Sequence, residues 1–171
     1  MPASPDDLFD ALDQLGIKTR TIDHPPLFTV EDSKALRGAI EGGHTKNLFL
    51  KDRKGRLFLV VAEEDASIDL KRIHEVIGAS GKVSFGQPDI LMEVWGVVPG
   101  AVTPFGAIND RDGRVTVVID SGLMRYDILN HHPLVNVRTT SIRREDLFAF
   151  LRATGHEPAI LPVSAEAAVS A

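Results

Sequence analysis

The sequence predicts one mixed α/β domain, and three observations carry the prediction. Leucines recur at helical spacing near the start, two apolar runs flank a turn signal at residues 52–55, and helical and extended patterns alternate along the chain. With 171 residues and 43% hydrophobic content, the chain is long enough for a single core.

Ser4-Pro5-Asp6-Asp7 reads as a helix start. Ser4 caps, Pro5 suits the first helical position, and the two acids favour the positive end of the helix dipole. Leu8, Leu12 and Leu15 follow at helical spacing, and Gly16 ends the run. Residues 17–23 read as extended, and His24-Pro25-Pro26 as a rigid connection. A second helix is expected from Thr29-Val30-Glu31-Asp32, with Ala35, Leu36 and Ala39 facing inward. Residues 46–51 and 56–62 are expected strands around Asp52-Arg53-Lys54-Gly55. Leu70, Ile73, Val76 and Ile77 mark a helix ending at Gly78, and residues 82–85 a short strand. A short helix is expected from Pro88 to Trp95, then a second hairpin pairing residues 107–108 with 114–119. Residues 136–142 alternate as a strand does, and residues 145–153 form a last helix with Leu147, Phe148 and Leu151 inside. Residues 1–162 are read as one domain, and 163–171, rich in Ala and Ser, as a flexible tail.

Composition excludes several classes. The chain has no cysteine, so disulfides, thiolate catalysis and cysteine zinc sites are ruled out. That fits a cytoplasmic protein. No apolar run is long enough to span a membrane as a helix. A net charge of −5 argues against gripping nucleic acid by bulk electrostatics, though a local patch could read one end of an RNA. There is no G-x-S-x-G elbow, no G-x-x-x-x-G-K-[ST] loop and no G-x-G-x-x-G. The histidines have no metal-ligand spacing, so no metal and no cofactor is expected.

Two stretches stand out. Gly43-His44-Thr45-Lys46-Asn47-Leu48-Phe49-Leu50 places a lysine and an asparagine at the mouth of an apolar strand. A lysine there is most often a solvated end charge. Strand alternation sends neighbouring side chains to opposite faces, so both residues serve one site only if the strand starts irregularly or each binds a different part of a ligand. Residues 96–106 hold three glycines and two prolines, which an ordinary strand would not tolerate. Such a loop, Gly100-Ala101-Val102-Thr103-Pro104, could aim backbone N–H groups at a carbonyl oxygen or could simply turn a sheet corner.

Together with His24-Pro25-Pro26 and Asn130-His131-His132-Pro133-Leu134-Val135-Asn136, these segments resemble, in the same order, the YbaK/ProX family of freestanding prolyl-tRNA editing proteins. The likeness runs from about Leu8 to Ile160 and is greatest to the ProX branch, which deacylates alanine mischarged on proline tRNA. It implies a curled mixed sheet or partly open barrel flanked by helices. It implies metal-free ester hydrolysis, with the acceptor end of aminoacylated tRNA(Pro) as partner and transient contact with prolyl-tRNA synthetase. Lys46 matches the family's lysine and would hold the terminal phosphate or ribose. Gly100, Ala101, Val102 and Thr103 would polarise the ester carbonyl. Asn47, Pro104 and His131 would bind substrate, with His132 the alternative to His131. Val30, Ile40 and Leu48 are candidates for the pocket wall. Other readings are a deacylase for Cys or Ser, or a non-catalytic tRNA or amino-acid binding module.

Overall fold

A computed structural model describes residues 1–26 and 30–170. Helix α1 (Pro5–Gln14) starts on a capping box: the Ser4 hydroxyl accepts the Asp7 N–H at 3.1 Å, and the Asp7 carboxylate accepts the Ser4 N–H at 2.9 Å. Leu8 and Leu12 are its buried stripe. Strand β1 (Thr19–Asp23) and helix α2 (Val30–Ala39) follow. Ala35 is exposed rather than inward-facing; Thr29 and the side chains of Leu36 and Ala39 lie outside the described residues.

Strands β2 (Gly43–Lys51) and β3 (Leu57–Glu63) form the expected antiparallel hairpin. Asp52 closes its turn. Its buried carboxylate accepts N–H groups from Lys54, Arg56 and Ser80 and the Arg56 guanidinium. Burial pushes the Asp52 carboxyl up, but these donors outweigh it and bring the pKa to about 2. Helix α3 (Ile73–Ile77) and strand β4 (Ser84–Phe85) follow. Helix α4 (Pro88–Ile90) runs into a π turn at Leu91–Trp95.

Strand β5 (Val115–Asp120) departs from the expected hairpin. It runs parallel to β3 and to β8 (Ala159–Leu161), while residues 107–108 belong to a 3-10 stretch, Pro104–Asn109. The turn at 109–113 is real, but the buried Asp110 carboxylate ties it down by accepting the Arg114 and Val115 N–H groups and the His156 ring at 2.8 Å. Strand β6 (Ile128–His131), β7 (Arg138–Arg143) and helix α5 (Arg144–Ala153) complete the middle of the chain.

The expected tail is also different. Residues Ala165–Ser170 form helix α6, and Val163, Ser164 and Ala167 are buried. Asp120, at the end of β5, is the reason: its buried carboxylate accepts the Val163 and Ser164 N–H groups and the Ser164 hydroxyl.

The eight strands among the described residues make one mixed sheet in the order β1-β7-β6-β2-β3-β5-β8, with β4 on the edge of β2. The two ends, β1 and β8, do not meet, so the sheet is curled but open. One face carries Trp95, Phe105, Phe150, Leu59 and Leu129. The other carries Leu50, Phe58, Val60, Ile73, Val118 and Val163. No helix among the described residues is long and apolar enough to cross a membrane.

Candidate active site

Strand β2 is flanked unevenly. Along one edge β3 pairs with it from Thr45 to Lys51. On the other edge β6 reaches only Gly43 and His44, and β4 only Leu50 and Lys51. Between them no strand among the described residues pairs with β2, and the sheet is open there. The His44 carbonyl accepts from Glu64, on the β3 side, while the Phe49 carbonyl accepts from Gly86, on the β4 side. Backbone alternation therefore directs the N–H and C=O of Asn47 into the opening.

The side chains of Thr45 and Asn47 share a face with Phe49 and with His131. His131 is buried, and the edge of Phe105 meets its ring at 5.7 Å. The Thr45 hydroxyl donates to the Asn130 carbonyl at 2.8 Å. It must then accept from His131 Nδ1–H, also at 2.8 Å. That leaves His131 Nε2 as a bare lone pair. Burial, followed by the neighbouring His132 and His44, lowers the His131 pKa to about 3, so the ring is neutral. Buried polar atoms without partners are rare. Of the three among the described residues, two are here: His131 Nε2 and Asn47 Oδ1. Both are acceptors, and no donor among the described residues reaches them.

The Gly-x-x-x-Pro loop lies against the same face. Phe105 touches His131, and Gly100 approaches Asn136, whose amide would stand 3.4 Å from a Cβ at position 100. Thr103 and Pro104 are buried anchors. The Thr103 carbonyl accepts from Trp95 Nε1 at 2.6 Å, and the Trp95 ring lies so close to Gly106 that a Cβ there would stand 2.2 Å from it. Ala101 is corrected by this geometry: its N–H is already bonded to the Val98 carbonyl. Leu134, in the Asn-His-His-Pro-Leu-Val-Asn segment, has φ 70°, unusual for a side chain of its size.

Lys46 is on the opposite face, because β2 is regular from Thr45 onward. Its ammonium donates to the Ala66 carbonyl at 2.6 Å. Leu48 shares that face and packs on the second core cluster. Ile40 lines a cleft of about 410 Å³ with Ile22, Ile128 and Ser141. The side chain of Val30 lies outside the described residues. Thus Asn47 and His131 share one face of the sheet, which the Gly100–Pro104 loop approaches through Phe105, while Lys46, Leu48 and Ile40 lie on the other face. His132 is tied back, its Nδ1 donating to the Arg138 carbonyl at 3.1 Å. Among the described residues no group of three or more His, Asp or Glu could hold a metal.

Over residues 24–150 the sequence matches the aminoacyl-tRNA editing domain. The chain belongs to this family. Its relatives include the prolyl-tRNA editing protein ProX of Acetoanaerobium sticklandii, 38% identical over 146 residues, or 85% of this chain and 88% of that protein. Prolyl-tRNA synthetase associated domain-containing protein 1 of Mus musculus is 35% identical over 159 residues, covering 91% of this chain and 94% of that one. A solved structure described as a candidate trans-editing enzyme for prolyl tRNA synthetase shares the fold, with a TM-score of 0.68 at 19% identity, covering 94% of this chain and 98% of that one. The YbaK/ProX resemblance read from the sequence is borne out.

Within this editing domain, sequence reasoning missed Thr45, which fixes the His131 tautomer, and Ala66, which receives Lys46. Thr45 was reachable, since it stands two residues before Asn47 on one strand face. Ala66 was not, because a backbone acceptor leaves no mark on residue type.

The two glycines of the loop are expected to behave differently. Gly106→Ala should destabilise the fold by about 1–3 kcal/mol or more, because the Trp95 ring is rigidly packed. Gly100 has no positive φ, and its Cβ would make only an ordinary contact. Gly100→Ala should leave urea unfolding within about 1 kcal/mol of wild type and yet depress activity, if the space beside it receives substrate. Equal destabilisation by both would remove the reason to place a ligand at Gly100.

Proposed function

We propose that this protein is a trans-acting deacylase that removes alanine mischarged onto tRNA(Pro). The observation that supports it most is the pair of buried, neutral acceptors on one sheet face, Asn47 Oδ1 and His131 Nε2. The α-ammonium of an aminoacyl ester supplies the donors that these two atoms lack. The ester carbonyl would then lie toward Gly100, where N–H groups of Gly100, Val102 and Thr103 are the candidates to stabilise the developing oxyanion. Lys46, from the other side of the opening, would hold the phosphate or ribose of the terminal nucleotide.

Water adds to the carbonyl carbon, the ester C–O bond breaks, and the ribose oxygen leaves with a proton. His131 is neutral and already bonded through Nδ1, so it is no ionised base for the attacking water. The adjacent ribose hydroxyl of the substrate is the remaining group able to orient the water. Asn47, His131 and the loop hold the ester in place for attack rather than take part in bond making. Transient contact with prolyl-tRNA synthetase, in the cytoplasm, belongs to the same proposal.

The test is deacylation of Ala-tRNA(Pro), Cys-tRNA(Pro) and Pro-tRNA(Pro) side by side. Turnover of the alanyl ester above the other two is the expected result. Preference for the cysteinyl ester would change the amino acid assigned, and stoichiometric binding without turnover would make the chain a binding module.

Rejection of proline is expected to be steric. A methylene is worth only about 1–3 kcal/mol in attraction, whereas a wall that cannot yield imposes a cost of its own. Truncating a wall of the amino-acid pocket on the Asn47 and His131 face should raise hydrolysis of Pro-tRNA(Pro) more than it lowers that of Ala-tRNA(Pro). Unchanged proline turnover after truncation of each wall residue would shift selectivity to the tRNA or the amino group.

A further inference from the structure

The last segment of the chain lies beyond the residues that match the family, 24–150, yet it is joined to Lys46 by a short hydrogen-bonded chain. The joint is a single peptide group. Its carbonyl, on Ala66, accepts from the Lys46 ammonium at 2.6 Å. Its N–H, on Ser67, donates to the Glu166 carboxylate, 3.1 and 3.2 Å from the two oxygens. A trans peptide is planar, with C=O and N–H pointing opposite ways. Lys46 and Glu166 therefore sit on opposite ends of one amide dipole, positive charge at the oxygen and negative charge at the N–H. Each charge polarises the amide in the sense that strengthens the other bond.

Glu166 is held where it must be. Ala165 N–H donates to the Ser67 carbonyl at 2.9 Å, so the segment is pinned to the residue after Ala66. Asp120 fixes the start of the segment through three hydrogen bonds, and Ser164 passes the hold on by accepting the Ala167 N–H at 3.1 Å. On the other side, the Ala66 N–H donates to the Glu63 carbonyl at 2.9 Å. The 66–67 peptide is thus clamped between the end of β3 and the C-terminal segment. Glu166 itself is exposed.

We propose that Glu166 is a positioning residue for Lys46, acting through the 66–67 peptide, and that the C-terminal segment is a functional part of the site. The role rests on the assignment of Lys46 given above. Lys46 has four rotatable side-chain bonds, and an ammonium left to wander would hold a nucleotide poorly. A polarised carbonyl fixes the ammonium and still leaves two of its three N–H donors for a ligand. The supporting electrostatics agree: hydrogen bonding, with the Lys46 charge as a smaller cause, lowers the Glu166 pKa.

The test uses the full chain and three variants, Glu166→Gln, Glu166→Ala and Lys46→Met. Glu166→Gln keeps an acceptor for Ser67 and removes the charge. Deacylation of Ala-tRNA(Pro) should fall about fivefold to tenfold in kcat/KM with Glu166→Ala and less with Glu166→Gln, as for two groups in one hydrogen-bonded chain. In the Lys46→Met background, Glu166→Ala should cause no further loss. An independent readout is the ¹⁵Nζ resonance of Lys46, which should move, or broaden through faster exchange, in both Glu166 variants without any substrate. Additive losses in the double variant, or an unmoved Lys46 resonance, would overturn the proposal. If Lys46→Met retains full turnover while the resonance still responds to Glu166, the relay stands and the assignment of Lys46 to deacylation is the part that fails.

Discussion

Lys46→Ala is expected to lower kcat/KM for Ala-tRNA(Pro) by about 100-fold, with the unfolding midpoint little changed. The size follows from the contact proposed. A hydrogen-bonded charge to a phosphate or ribose oxygen contributes about 1.5–3 kcal/mol, and about 3 kcal/mol corresponds to roughly 150-fold. Folding loses less. The Ala66 carbonyl gives up one donor, the half-buried Lys46, in a part-buried bond where water can replace it. The measurement is single-turnover deacylation beside a urea unfolding curve. Near-normal turnover by a folded Lys46→Ala protein would take Lys46 out of the site and leave its bond to Ala66 as a structural tie.

The fold was legible where a local signal decides the local structure. Ser4, Pro5 and Asp7 carry the whole capping box of α1 within four residues. Asp52 and Gly55 mark the β2–β3 turn for the same reason. What could not be read depends on partners distant in sequence. β5 looks like half of a hairpin because Asn109 to Gly113 is a good turn, yet its neighbours are β3 and β8, both parallel to it. The chain after Pro162 reads as a tail by composition, and partners distant in sequence, the Asp120 carboxylate more than forty residues away and Ser67 farther still, make it a docked segment. β6 was hidden because Asn130 and His131 look like loop residues, although their polar atoms are satisfied or exposed to a ligand space across strands.

The site divides the same way. Residue types picked out Lys46, Asn47, His131 and the Gly-x-x-x-Pro loop. Strand alternation warned that Lys46 and Asn47 point apart, and they do. Of the two resolutions foreseen, an irregular strand start is not observed, and the other, each residue binding a different part of one ligand, is the one the proposed function uses. The sheet instead opens beside a regular β2, so that one ligand could meet side chains from both faces. Such an opening is a property of which strands pair, and no single stretch of sequence encodes it.

His131→Asn should separate function from fold at the other half of the site. The asparagine amide can still donate to the Thr45 hydroxyl, as His131 Nδ1–H does, but the Nε2 lone pair is gone. Deacylation is therefore expected to fall at least about tenfold, the loss of one hydrogen bond to a charged ammonium. Stability should respond to pH in the opposite sense. Below pH 6.5 the unfolded chain protonates His131, while the folded chain resists until about pH 3, because burial and the neighbouring His132 and His44 disfavour the charge. The unfolded state thus binds the extra proton, and this contribution to stability, fully present above pH 6.5, is lost as pH falls toward 3. At pH 5 the loss amounts to about 2 kcal/mol. The asparagine variant cannot ionise, so its stability should decline less than that of wild type between pH 7 and pH 5, measured by urea unfolding at each pH. A wild-type protein as stable at pH 5 as at pH 7, or a variant with the same acid sensitivity, would mean that His131 is solvated in the folded chain. Its Nε2 would then be satisfied by water, and the case for a substrate ammonium at that atom would fall with it.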